Sequence, residues 1–143
     1  MLLPDRTVWV KSTVEDPVQL DVNWVRTTVS FAYDNDTGVV FYQSGECKAK
    51  WLSASGWERD EDYADCHWYY SDNQSKVTVS ADEHFTNDDF CRVLLKQYGT
   101  DHVYHNNVVV TGNSDGSADG DVDIDIFGPC GNLLTPEIIC SWD

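Results

Sequence analysis

Positive charge, methionine and helix-forming runs are all scarce in this sequence. Its 143 residues carry 9 Lys and Arg against 25 Asp and Glu, a net charge of −16. No Lys or Arg follows Lys96, while acids continue to the C-terminus. Such an excess repels nucleic-acid backbones and anionic membrane surfaces. It favours cationic partners, or serves simply to keep the chain soluble. No apolar run reaches about 18 residues, so no membrane-spanning helix is expected. Only one Met is present, and long stretches of Ala, Leu, Glu and Lys are missing, which argues against a helical protein.

What is abundant is aromatic and β-branched. Aromatics make up 13% of the chain and apolar residues 41%, enough for one domain over 1–143 with a real core. Period-two alternation recurs. Val18, Leu20, Val22 and Trp24 alternate with polar residues, and Val29, Phe31 and Tyr33 do the same. Asp34 to Gly38 reads as a turn, with Val39 to Gln43 as its hairpin partner. Further strands are expected at Cys66–Tyr70, around Val77 and Val79, at Phe90–Tyr98 and at His102–Val110. Val122, Ile124 and Ile126 alternate with Asp121, Asp123 and Asp125. Trp57–Asp65 has no apolar face and reads as a solvated loop. Thr111–Gly120, rich in Gly, Ser, Asn and Asp, reads as a mobile loop. The pattern predicts an all-β antiparallel sandwich or barrel.

Five cysteines, Cys47, Cys66, Cys91, Cys130 and Cys140, form no CxxC pair, so zinc and thioredoxin-like sites lack their spacing. Two disulfides with one cysteine over is the natural count for a secreted chain. Which cysteines pair is left open by spacing, and five thiols in a cytosolic protein is the competing reading. Met1 to Pro4 is too short for a signal peptide, so secretion implies a leader already removed. Two sequons, Asn35-Asp36-Thr37 and Asn73-Gln74-Ser75, sit in turn-like segments that could carry glycans.

Catalytic motifs are weak. Gly112-Asn113-Ser114-Asp115-Gly116 matches GxSxG, but no helix follows it and no His occurs after His105. The acids from Asp115 to Asp125 offer oxygen ligands for calcium. EF-hand spacing is absent, however, and alternate carboxylates on one strand face lie about 7 Å apart. A solvent face opposite Val122, Ile124 and Ile126 is the better reading. His102 and His105 point to opposite faces of a strand and would not share a metal. Cys66 and His67 diverge likewise. A pair such as Cys91 with His84 stays open. Acidic pairs such as Asp88-Asp89 could serve glycoside hydrolysis, but with so many acids a pair is uninformative. No cofactor or metal site is expected. Among the tryptophans, Trp24 and Trp68 lie in alternating strands and read as core. Trp51 and Trp57 flank a Ser/Gly segment and are the candidates for a ligand-facing platform.

Several segments resemble the Alt a 1-like family of fungal secreted proteins. They are Val29-Ser30-Phe31, Cys47-Lys48-Ala49-Lys50-Trp51, His67-Trp68-Tyr69-Tyr70-Ser71-Asp72, Gly128-Pro129-Cys130 and Glu137-Ile138-Ile139-Cys140. The resemblance implies a β-barrel or sandwich, extracellular localisation and an allergen, elicitor or effector role without catalytic residues. It also implies disulfides Cys47–Cys66 and Cys130–Cys140, with Cys91 free or joining two chains in a homodimer. The expected function is therefore binding of a host protein or small ligand. A carbohydrate-binding module or a small wall-active glycoside hydrolase is the alternative.

Overall fold

The computed structural model describes residues 2–142. Nine strands, one short helix and two 3-10 turns follow one another in the order β1 (Asp5–Glu15), β2 (Asp21–Asp34), β3 (Val39–Trp51), a turn at Ser53–Ser55, β4 (Trp57–Arg59), β5 (Asp65–Tyr70), β6 (Lys76–Asn87), α1 (Phe90–Leu95), β7 (Asp101–Asn113), β8 (Ala118–Phe127), a turn at Gly131–Leu133 and β9 (Thr135–Cys140). All pairings are antiparallel. They build two sheets: a front sheet in the order β3-β2-β1-β9 and a back sheet in the order β4-β6-β7-β8, with β5 also paired to β6. The fold is an open sandwich, not a closed barrel.

The inward faces of the pleats make the core. Val8, Val10 and Val14 of β1 and Val25, Val29 and Phe31 of β2 meet Val77, Val79 and Phe85 of β6 and Val103, Val108 and Val110 of β7. Gly112 lets Phe31 lie flat on β7, since a Cβ there would enter the ring. One open edge of the sandwich is sealed between β3 and β5. Cys47 is bonded to Cys66 across it, with Cα atoms 6.0 Å apart. Beyond the bridge, Tyr42 and Trp68 stack with ring centroids 3.8 Å apart. The Tyr70 hydroxyl accepts a hydrogen bond from the Tyr42 backbone N–H at 2.8 Å.

Four expectations are corrected. Val18 and Leu20 belong to an exposed turn, and β2 begins only at Asp21. Phe90–Tyr98 is not a strand. It opens as the helix α1, stopped by Lys96 in the left-handed region, and Val93, Leu94 and Leu95 are exposed. Thr111–Gly120 is not a long loop, because β7 runs to Asn113 and β8 starts at Ala118. Only a tight turn separates them, closed by Asn113 N–H to the Ser117 carbonyl at 2.9 Å. Part of Trp57–Asp65 is strand β4, not loop.

The second disulfide also differs from the expected pairing. Cys130 is joined to Cys91, not to Cys140, with Cα atoms 5.2 Å apart. Cys91 is therefore neither free nor available to link two chains. The reason is geometric. β9 runs antiparallel beside β1 and brings Cys140 opposite Val10. β9 carries Cys140 about 17 Å on from Thr135, while Cys130 is held at the start of β7 by its N–H donating to Asp101 Oδ1. Cys140 packs against the core from β9 instead.

Candidate functional site

The strand pleat sends alternate residues of the front sheet into solvent. On β2 these include Trp24 and Arg26, because Val25 and Thr27 between and beyond them are buried. On β3 they include Lys48 and Lys50, because Cys47, Ala49 and Trp51 turn inward against the core. On β1 the corresponding residue is Lys11, between buried Val10 and Ser12. Register completes the arrangement. Arg26 lies opposite both Lys48 and Lys11, and Trp24 lies opposite Lys50.

Four of the nine basic residues thus gather around one indole. The Lys11 ammonium sits 4.6 Å from the Trp24 ring centroid, and the Arg26 guanidinium carbon 5.8 Å from it. Among the described residues, none of the four makes an ion pair. The buried Arg26 Nε has no hydrogen-bond partner. The nearest acids are Glu46, opposite Thr28, Glu137, opposite Thr13, and Asp21 in the groove beside Trp24. The opposite face of the sandwich has the reverse sign. Asp119, Asp121, Asp123 and Asp125 all project from β8 into solvent. The net charge of the chain therefore conceals a strong segregation of sign between the two faces.

Two depressions adjoin this patch. A groove of about 250 Å³ runs beside Trp24 between Asp21, Val22, Lys50, Trp51 and Leu52. Over the β3 edge, a cleft of about 380 Å³ is lined by Lys48, Trp51, Arg59, Asp65, Glu83 and the Cys47–Cys66 bridge. In that cleft Arg59 forks onto the carboxylate of Glu83, with Nε–Oε2 at 2.9 Å and Nη2–Oε1 at 2.5 Å. This bond raises the Arg59 pKa above its ordinary value. Both Glu83 oxygens are thereby engaged by the guanidinium and are not presented to a substrate.

Trp51 is half-buried and forms a wall of both depressions, as a ligand-facing residue would. Trp57 is not ligand-facing. It is 1% exposed and packs on Phe90 with ring centroids 5.9 Å apart. Gly56, in the left-handed region at φ 92°, turns the chain inward just before it. Trp24 and Trp68 depart from the core reading in the other direction, since Trp24 is half-buried on the outer face of β2 and Trp68 is 44% exposed. Asn35 and Asn73 both sit exposed in turns.

The remaining candidate groups are dispersed. Ser114 lies in the β7–β8 turn, not at a strand-to-helix elbow. Asp115 accepts from the Ser117 hydroxyl and N–H, which lowers its pKa. Among the described residues, no group of His, Cys, Asp and Glu is arranged to hold a metal ion. His84 and Cys91 fall on separate elements, and Cys91 is consumed in its disulfide. On the outer face of the back sheet, His84 Nδ1 is 3.0 Å from Asp60 and its Nε2 is 3.0 Å from His102 Nδ1. The bond to His84 holds the Asp60 carboxyl below the usual range. Tyr104 stacks on His84 with centroids 3.9 Å apart.

His105 is the exception in the interior. It is fully buried, with Nδ1 2.7 Å from Ser12 Oγ and Nε2 2.6 Å from Asn23 Oδ1. The amide oxygen can only accept, so Nε2 carries the proton and Ser12 donates to Nδ1. Burial lowers the His105 pKa to about 3. Ser12, His105 and Asn23 are types a hydrolase uses, but Ser12 is fully buried and closed to substrate. The three instead tie the front sheet to the back.

The cationic face had a signal in the sequence that composition masks. Trp24-Val25-Arg26 and Lys48-Ala49-Lys50 each place two such residues on one face of a strand. Only the cross-strand register shows that those faces adjoin. The fold and site together define a small disulfide-bonded β-sandwich with a cationic, indole-centred face. No protein-family model, curated protein or solved structure matches the chain.

Proposed function

We propose that this is a secreted binding protein of the effector or elicitor type, acting on a host ligand through the Trp24 face and the adjoining depressions rather than by catalysis. The observation that carries the binding site is the cluster of Lys11, Arg26, Lys48 and Lys50 around Trp24, unpaired in a chain of net charge −16. Cations that make no ion pair among the described residues of an otherwise acidic protein are a binding feature, because solubility does not require them. The secreted setting is supported by two disulfides, which persist in oxidising compartments, and by two exposed sequons. The effector role is supported by the resemblance of the Cys47–Trp51 and His67–Asp72 segments to the Alt a 1-like family.

The test is infiltration of the purified protein into leaves of several plant hosts, beside a variant with Lys11, Arg26 and Lys50 changed to Glu. Ion leakage or an oxidative burst is expected from the native protein and not from the folded variant. No response in any host, or an undiminished response to the variant, would overturn the proposal.

A further inference from the structure

We infer that the Trp24 face docks an acidic polysaccharide, one whose sugar rings carry carboxylates. The inference rests on the binding reading above and names the ligand class. Lys48, Arg26 and Lys11 stand side by side on three adjacent strands. Neighbouring strands are about 5 Å apart, so the three side chains are rooted at about that interval across about 10 Å of sheet, with the Lys11 and Arg26 charges held beside the Trp24 ring. A single compact anion meets one or two of these groups. A linear polymer with a carboxylate on each ring meets all three.

Behind the row, Trp24 and Lys50 face each other across β2 and β3, and the groove beside them is walled by Trp51 and Leu52. Its volume of about 250 Å³ accommodates a single ring. Indoles suit the apolar C–H face of a sugar while its hydroxyls remain in water. The surface is flat and open, which fits a chain lying across the strands. Nucleic acid fits poorly. Its affinity comes from many phosphates, and the row offers only three cations to meet them.

Titration calorimetry of the full chain with short oligogalacturonates at low ionic strength tests this. Comparators are the same oligomers fully methyl-esterified, inorganic polyphosphate and single-stranded DNA. Binding of the acid form is expected, with little for the ester and with weakening as salt rises. Lys11→Gln and Arg26→Gln should each weaken it about threefold, and Trp24→Ala about tenfold. Far-ultraviolet circular dichroism establishes that each variant is folded. Absence of binding, equal binding of the ester, or tighter binding of polyphosphate or DNA would overturn the inference. A leaf response that depends on the Trp24 face without oligouronate binding would remove the ligand class and leave the binding site standing. Loss of both would remove the site as well.

Discussion

The buried His105 makes stability fall with acid earlier than the carboxylates alone would dictate. In the folded chain its pKa is lowered to about 3 by burial. Glu83 is its cross-strand neighbour, but that carboxylate is turned to Arg59. The unfolded chain exposes an ordinary imidazole with a pKa of about 6.5. Below that value the unfolded state binds a proton that the native state refuses, so stability rises with pH. The contribution is complete above about pH 6.5 and is lost as pH falls toward about 3. Full loss corresponds to about 5 kcal/mol, and about 2 kcal/mol of it falls between pH 7 and pH 5.

Urea unfolding at a series of pH values from 7.5 to 5 measures this, with His105→Gln as the comparison. Gln can still donate to Asn23 and accept from Ser12, and it does not titrate. The variant should start less stable at pH 7.5 and lose about 2 kcal/mol less on acidification. The other three histidines are common to both proteins and cancel in the difference. Nitrogen-detected NMR of the native protein should show His105 as the Nε2–H tautomer, unchanged down to pH 5. Parallel pH profiles for the two proteins, or a His105 titration near pH 6.5, would refute the reasoning.

Mass spectrometry should find four hydrogens fewer in the native protein than after reduction, with peptides joined as Cys47–Cys66 and Cys91–Cys130. A Cys130–Cys140 peptide would contradict the fold of β9. Replacing Cys91 and Cys130 together by Ser should cost about 4 kcal/mol in thermal or urea unfolding, from the loop closed over a separation of 39 residues. Trp57→Ala should cost about 4 kcal/mol as a core cavity and leave ligand affinity of the folded fraction unchanged. Arg59→Gln should cost about 2 kcal/mol in urea unfolding, because it leaves the 5% exposed Glu83 without its ion pair; the figure is kept low because Arg59 is itself partly exposed.

Much of the fold was legible where alternation and turn chemistry agree. Val29, Phe31 and Tyr33 lead into Asp34–Gly38 and back through Val39 and Val40, and the chain does form that hairpin. On β8 the Asp residues do face solvent and Val122, Ile124 and Ile126 the core. Reading failed where one residue type serves two purposes. Gly112 and Gly120 suggest a loop by composition, yet they are strand residues whose missing side chains admit Phe31 and Val10. Phe90 to Leu95 is too short and too uniformly apolar for its period to separate strand from helix. The disulfide at Cys91 and the left-handed Lys96 define it as a helical turn. Trp57 was misplaced because Gly56 before it looks like loop, whereas its positive φ is what aims the next side chain inward.

The site was hidden for a different reason. Net charge sums over the whole chain, but a ligand meets one face. Lys11, Arg26 and Lys48 lie far apart in sequence and come together only because β1, β2 and β3 pair in a register that aligns them. A shift of one residue in β2 would bury Arg26 and expose Val25. That shift is blocked by the same inward residues that build the core: Val25, Thr27, Val29 and Phe31. The cationic row is thus fixed by hydrophobic packing on the opposite side of its own strands. A β2 variant that slips the register should therefore degrade ligand binding without touching a single charge, whereas substitutions on the Trp24 face should alter binding with little effect on stability.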